Sequence, residues 1–146
     1  MGIQVGGANG AGSPEGALLV RECEEFLDGR FALRLADAER PVPGWAWVNL
    51  LVHGSERLLR ALAALAVAPW TEDADQDWGH VTVVLAQRLC RVAETFEVDL
   101  VRLQRCALVP IELEMFHDPG WQQVGPGIVA MRIMSAIDEA LGNRCL

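Results

Sequence analysis

The chain contains neither lysine nor tyrosine, and all 12 of its cationic residues are arginine. The absence of lysine excludes Schiff-base catalysis and phosphate binding by a P-loop, and the absence of tyrosine excludes a phenolic acid catalyst. The 20 acidic residues outnumber these cations and give the chain a net charge of -8. Because nucleic acids and anionic lipids require a basic surface, we expect neither a nucleic-acid partner nor a membrane partner.

Cysteine pairs at the spacing of metal or redox sites are also missing. The four cysteines are far apart in sequence, which is typical of reduced core thiols in a cytoplasmic protein: Cys23, Cys90, Cys106 and Cys145. Residues 1–16 have neither the basic start nor the apolar stretch of a signal peptide. The apolar run at residues 58–67 is too short to span a membrane. We therefore predict a soluble cytoplasmic protein.

Apolar residues make up 51% of the chain, and in residues 41–68 they follow a helical period. Several recur at steps of three and four, as on one face of a helix: Trp45, Val48, Val52, Leu58, Leu62 and Leu65. Gly54 and Ser55 interrupt this pattern, and Ser55 is a good N-cap. The pattern thus predicts either one long helix or two helices that meet at a kink.

The remaining patterns predict an all-α fold, a compact bundle of five to six helices in a single domain. Further helices are expected at residues 14–28, 78–96, 100–117 and 128–141, with a loop at residues 118–127. Ser13 is the expected cap of the first of these helices, and the inner faces of the second and the fourth are predicted to include the following residues: Val81, Leu85, Leu89, Phe96 and Met131. Gly29 is predicted to end the first, Asp99 to cap the third and Pro110 to break or kink it. Residues 1–13 form a Gly-rich tail that we expect to be flexible, and residues 14–146 form the helical domain.

Each of the three histidines has an acidic residue three positions away, which places imidazole and carboxylate on one helix face. Such pairs could hold a transition metal, and the candidate ligands are His53, Glu56, Glu114 and His117. The alternative is that each histidine bonds a backbone group or a nearby carboxylate. No nucleophile elbow or phosphate loop is present, so we assign no catalytic residue and, this metal apart, no cofactor.

The five tryptophans are the other residues that could have a functional role. Trp45 and Trp78 fall on the inner stripes and are predicted to be core residues. Trp47, Trp70 and Trp121 fall outside the stripes or in loops. Exposed tryptophans are enriched at binding surfaces, so these three are the candidate interface residues. The alternative is that they close the edge of the core.

The leading functional hypothesis is a non-enzymatic helical protein–protein interaction module, an adaptor or regulatory subunit that binds another protein or a second copy of itself. The alternative is a metal-dependent helical-bundle enzyme or a small-molecule binder with a pocket between helices. A third hypothesis is an acidic mimic that covers a basic partner. Its contact would be the acidic loop that contains Glu72, Asp73, Asp75 and Asp77.

Overall fold

The computed structural model describes residues 14–31, 42–66 and 78–143. Its helices are α1 (Pro14–Phe31), α2 (Gly44–His53), α3 (Glu56–Ala63), α4 (Trp78–Thr95), α5 (Leu100–Leu103), α6 (Val109–His117) and α7 (Pro126–Gly142). A π-helical segment, Gln104–Leu108, joins α5 to α6, and a 3-10 turn, Pro119–Gln123, precedes α7. Within these ranges no strand occurs, which confirms the predicted all-α bundle.

The helix α4 lies at the centre of the bundle, where it packs against α2, α3, α5 and α7. Ten of its 18 residues are buried, including Val81, Leu85 and Leu89, which the sequence pattern places on its inner face. Burial of each such side chain stabilises the folded state by roughly 1.5–3 kcal/mol. Phe96, predicted to end this inner face, lies just beyond the helix and is 57% exposed.

Of the two alternatives for residues 41–68, the structure shows two helices, because α2 ends at His53 and α3 begins at Glu56. The hydroxyl of Ser55 accepts a hydrogen bond from the Leu58 N–H at 3.1 Å, as expected of an N-cap. Gln104 closes the junction from the opposite side, since its amide donates to the carbonyls of Leu51 and Gly54 at 2.8 and 3.1 Å. These two carbonyls lie beyond the reach of the α2 ladder.

The predicted stop of the first helix at Gly29 is wrong, because α1 continues through this residue to Phe31. None of the described glycines has a positive φ, so Gly29 does not adopt the left-handed conformation that ends many helices. Two contacts stabilise the extra turn instead, one with another helix and one within α1. The Phe31 ring packs edge-on against Trp45 with a centroid distance of 4.4 Å, and the Arg30 guanidinium lies over the Phe26 ring.

The predicted core assignments of two tryptophans are reversed. Trp45 is 49% exposed, whereas Trp47, predicted to be outside the stripe, is only 6% exposed. Six of the ten residues of α2 are buried, so apolar side chains lie on most sides of this helix. Trp47, Leu50 and Leu51 also recur at helical spacing, and periodicity alone does not select the correct face. Met131 of α7, likewise predicted to be buried, is 49% exposed.

The helical run from Leu100 to His117 is continuous but changes its winding. Asp99 caps its start as predicted, with its carboxylate accepting from the Val101 N–H at 2.8 Å. Pro110 does not end the run. The π-helical segment lies immediately before it, and such wide turns are one way to accommodate a residue that lacks an N–H and whose ring crowds the preceding turn.

Several predictions concern residues outside the described ranges. These are Ser13 as a cap, the tail at residues 1–13, the acidic loop with Glu72, Asp73, Asp75 and Asp77, and the side chains of Trp70 and Cys145. Among the helices that the structure describes, none has the length and hydrophobicity needed to cross a bilayer.

Candidate functional site: an aromatic groove

A groove of about 910 Å³ lies at the end of the bundle where α2 and α4 begin and α6 ends. The 3-10 turn and the first residues of α7 complete its walls. Its volume is within the range of ligand pockets, which are typically about 300–1,000 Å³. The chain has four phenylalanines and five tryptophans. We call the concavity the aromatic groove, because five of these residues line it: Phe31, Trp45, Trp78, Phe116 and Trp121.

The aromatic walls come from five separate elements. Phe31 ends α1 and contacts Trp45 in the first turn of α2. Trp78 begins α4 and lies directly against Gly44, where a Cβ atom would overlap its indole ring. A residue without a side chain is therefore required at this contact, because it lets the start of α2 approach the ring. Phe116 in α6 is 82% exposed and Trp121 is partly buried.

The 3-10 turn that carries Trp121 is fixed by the residue before it. The Asp118 side chain accepts a hydrogen bond from the Gly120 N–H at 3.0 Å, and its carbonyl accepts from the Trp121 N–H at 3.1 Å. These local hydrogen bonds fix the turn, and Trp121 also packs against the core. The sequence pattern predicts a loop at residues 118–127, and the capped turn occupies its first half.

The polar side of the groove is a three-residue network between α2 and α6. Asn49 donates its amide N–H to one carboxylate oxygen of Glu112 at 2.9 Å, and the Nε2 atom of His53 lies 2.7 Å from the other oxygen. Asn49 and His53 are four residues apart and share one face of α2. Because an ionised carboxylate only accepts hydrogen bonds, Nε2 carries the hydrogen in this contact.

One atom of this network has no partner. The Asn49 side-chain oxygen is buried and makes no hydrogen bond to any described residue. Exchanging the amide oxygen and nitrogen would not relieve this, since it would place the oxygen against the Glu112 carboxylate. A buried acceptor left without a donor typically destabilises a protein by about 1–3 kcal/mol. Because Asn49 lines the groove, a ligand donor could satisfy this atom once a local movement of the wall exposes it.

The groove carries an uneven distribution of charge. Of the described residues that line it, Glu112 is the one with a charged side chain, and no arginine is among them. Its other polar side chains are the amides of Asn49 and Gln122. The remaining lining is aliphatic: Pro43, Val48, Leu113, Met115, Val124 and Val129. The groove therefore combines a large apolar surface with one carboxylate, that of Glu112, and one unpaired hydrogen-bond acceptor, the Asn49 side-chain oxygen.

The predicted metal ligands do not converge. His53 contacts Glu112 instead of Glu56, whose carboxylate bonds Arg60 at 3.0 Å. Glu114 pairs with Arg132 of α7 at 3.2 Å, and the exposed His117 packs its ring against Phe116. Among the residues described, no group of three His, Cys, Asp or Glu side chains could hold a metal ion.

The two predicted interface residues that the structure describes differ in their exposure and position. Trp121 does line a concave surface. Trp47 is buried in the core, so its side chain is not available for contact with a partner, and Trp70 lies outside the described residues. Trp45, which the sequence pattern predicted to be a core residue, is exposed and lines the groove instead of Trp47. Sequence reasoning missed Asn49 and Glu112 altogether, although the spacing of Asn49 and His53 on one helix face was a usable signal.

None of the three cysteines that the structure describes lines the groove. Burial, with smaller contributions from the neighbouring Glu22 and Glu24 carboxylates, raises the pKa of the Cys23 thiol to about 12. Burial is also the main cause of the raised pKa of the Cys90 thiol. Since the thiolate is the nucleophilic form, both are poor nucleophiles in the folded protein. This agrees with their prediction as core residues.

Comparison of the chain with models of known protein families, with characterised proteins and with solved structures finds no match.

Proposed function

We propose that this protein is a non-enzymatic binder of a small apolar molecule, which it holds in the aromatic groove. The observation that carries the proposal is the combination of five aromatic side chains in one concavity with a buried, unpartnered amide oxygen at its polar side. Ligand pockets characteristically pair a predominantly apolar lining with a few polar groups that orient the ligand.

The proposal assigns different tasks to the two kinds of lining residue. The aromatic rings and aliphatic side chains provide affinity through the burial of apolar surface. Asn49 and Glu112 select the ligand's orientation through hydrogen bonds. The Asn49–Glu112 and His53–Glu112 contacts fix this acceptor pair before a ligand arrives, and such pre-organisation lowers the entropy that binding must overcome.

Titration with 2-(1-naphthyl)ethanol, followed by calorimetry and by two-dimensional NMR, tests the proposal. We expect saturable binding with one ligand per chain and shifts at the indole N–H signals of Trp45 and Trp121. The variant Trp45→Ala should weaken binding about three- to tenfold, because one aromatic contact contributes about 0.5–1.5 kcal/mol.

The matched control is Phe96→Ala. Phe96 is a similarly exposed aromatic residue, 57% against 49% for Trp45, and lies beyond the end of α4 opposite to the groove, about 27 Å along that helix. Its removal should leave the affinity unchanged. Absence of saturable binding, or an equal loss of affinity in both variants, contradicts the proposal.

A second candidate function is the interaction module predicted from the sequence, with a second copy of the chain as the partner. It is favoured by the exposure of Phe116 and Leu113, 82% and 53%, which lie one helical turn apart at the rim of the groove. Exposed aromatic side chains of this extent are enriched at protein interfaces.

Sedimentation velocity over a hundredfold range of protein concentration tests this second function. A dimer that dissociates on dilution, and that the variant Phe116→Ser weakens, supports self-association. The variant Ile128→Ser is the control, because Ile128 is also exposed, at 56%, but does not line the groove. A monomer at every concentration contradicts self-association through this rim.

A further inference from the structure

We infer that the aromatic groove selects a primary ammonium group attached to an apolar or aromatic body. This inference rests on the proposed function and names the chemical class of its ligand. It follows from three features of the groove: the sign of its charge, the kind of hydrogen-bonding atom it leaves free, and the chemistry of its walls.

The charge of the groove favours a cation. Glu112 supplies a negative charge, and none of the described lining residues supplies a positive one. The chain as a whole carries a net charge of -8, which adds a weaker attraction for cations over a longer range. A carboxylate ligand would meet like charge at Glu112 without any arginine to balance it.

The free hydrogen-bonding atom requires a donor. The Asn49 oxygen is a buried acceptor, and the Glu112 carboxylate beside it is also an acceptor. A primary ammonium carries three N–H donors and can satisfy both residues at once. Because the oxygen is buried, its contact with the ammonium requires a local movement of the groove wall. A quaternary ammonium carries the same charge but has no N–H, so it would leave the Asn49 oxygen unpaired.

The walls suit the same group. Aromatic rings attract cations through their electron-rich faces, and tryptophan does so most strongly. Three tryptophans and two phenylalanines surround the groove. The ammonium therefore lies beside Asn49 and Glu112, and the body of the ligand packs against the rings. A hydrophobic amine meets all of these conditions, whereas a neutral apolar ligand uses only the walls.

Three compounds that share one body and differ in the head group separate these contributions. They are 2-(1-naphthyl)ethylamine, 2-(1-naphthyl)ethanol and the N,N,N-trimethyl derivative of the amine. Calorimetry with the full chain at pH 7 compares their affinities. We expect the primary amine to bind about tenfold more tightly than the alcohol, because a charged donor makes a stronger hydrogen bond than a neutral one. The trimethyl compound should bind more weakly than the amine.

The variant Glu112→Gln keeps the shape of the side chain and removes its charge. We expect it to reduce the preference for amine over alcohol from about tenfold to about twofold or less. The control is Glu114→Gln, which removes a carboxylate two residues away that pairs with Arg132 outside the groove. This control should retain the full preference. Retained binding of the alcohol shows that the groove of each variant is intact.

The outcomes distinguish this inference from the function on which it depends. If none of the three compounds binds saturably, the proposed function itself is wrong. If all three bind with equal affinity, the groove binds apolar molecules but has no preference for amines, and this inference is overturned. An unchanged preference in Glu112→Gln overturns it as well.

Discussion

The α2–α3 junction and the aromatic groove each contain a side-chain amide that links two helices, and the two amides differ in what they leave unsatisfied. At the junction, the Gln104 amide group donates to two backbone carbonyls and is 4% exposed. At the groove, the Asn49 amide group donates once, and its oxygen remains unpaired. The first arrangement completes the fold, while the second keeps capacity for a further partner.

The two amides suggest a criterion that assigns a polar side chain either to the stability of the fold or to ligand binding. A residue that stabilises the fold should have its hydrogen bonds complete in the isolated chain, because an unsatisfied buried group is destabilising. A residue that binds a ligand tolerates an incomplete set, since the ligand supplies what is missing. By this criterion Gln104 is structural, and Asn49 fits the binding site that we propose.

The variant Gln104→Leu is expected to have the largest effect, lowering the free energy of unfolding by about 2–3 kcal/mol. It removes both donors from the carbonyls of Leu51 and Gly54 at a buried junction. Urea denaturation followed by circular dichroism measures the change.

The matched control for this variant is Gln87→Leu. Gln87 donates to a single carbonyl, that of Leu65, at 3.0 Å in a half-buried position. Its loss should lower stability by about 1 kcal/mol. If the two glutamine variants were equally stable, the structural assignment of Gln104 would have to be abandoned.

The variant Gly44→Ala should lower the free energy of unfolding by an intermediate amount, through a change at the aromatic groove and not at the α2–α3 junction. The new methyl group overlaps the Trp78 ring, so the ring or the start of α2 must move, at a cost of about 1–2 kcal/mol. Thermal unfolding measures this loss, and the naphthyl titration should show weaker binding, because Trp78 is part of the wall.

A second glycine in a helix provides the contrasting control. Gly29 in α1 has no atom within 4 Å of the position that a Cβ would occupy. Gly29→Ala should therefore raise stability by about 0.5–1 kcal/mol, as expected for alanine in a helix interior. A stabilising Gly44→Ala would show that the Trp78 contact is not close in solution.

The variant Asn49→Leu is expected to change stability least, by less than about 1 kcal/mol. It removes the hydrogen bond to Glu112 but also removes the unpaired oxygen, and the two effects oppose each other. Denaturation in urea alongside Gln104→Leu gives a direct comparison. A loss as large as that of Gln104→Leu would mean that both amides are structural, and the contrast between the two regions would fail.

Features set by local chemistry were predictable from the sequence. Ser55 and Asp99 cap helices where their hydroxyl and carboxylate groups follow a loop, and the residues needed for these bonds are only two or three positions away. The all-α class followed from the same short-range periodicity. The end of α1 did not, because Phe31 is held by a contact with a residue of another helix.

The groove could be predicted only in part. Aromatic residues were recognisable as candidates, but the face of α2 that they occupy was not, since the helix is buried on most sides. The polar network depends on Asn49 and Glu112, which are 63 positions apart. No periodic pattern connects residues at that separation. The same holds for the predicted metal ligands, since sequence proximity paired His53 with Glu56, whereas the fold places it against Glu112.

The π-helical segment makes the groove sensitive to the winding of the chain at a site that does not line it. A π turn holds an additional residue, so side chains after Gln104–Leu108 are rotated by about 100° relative to an uninterrupted α-helix of the same residues. Regular winding of the full segment would therefore turn Glu112 away from α2. Deleting one residue there removes the π turn and leaves Glu112 facing α2, so a homologue shorter by that single codon would keep both the aromatic walls and the acidic group that lies between them.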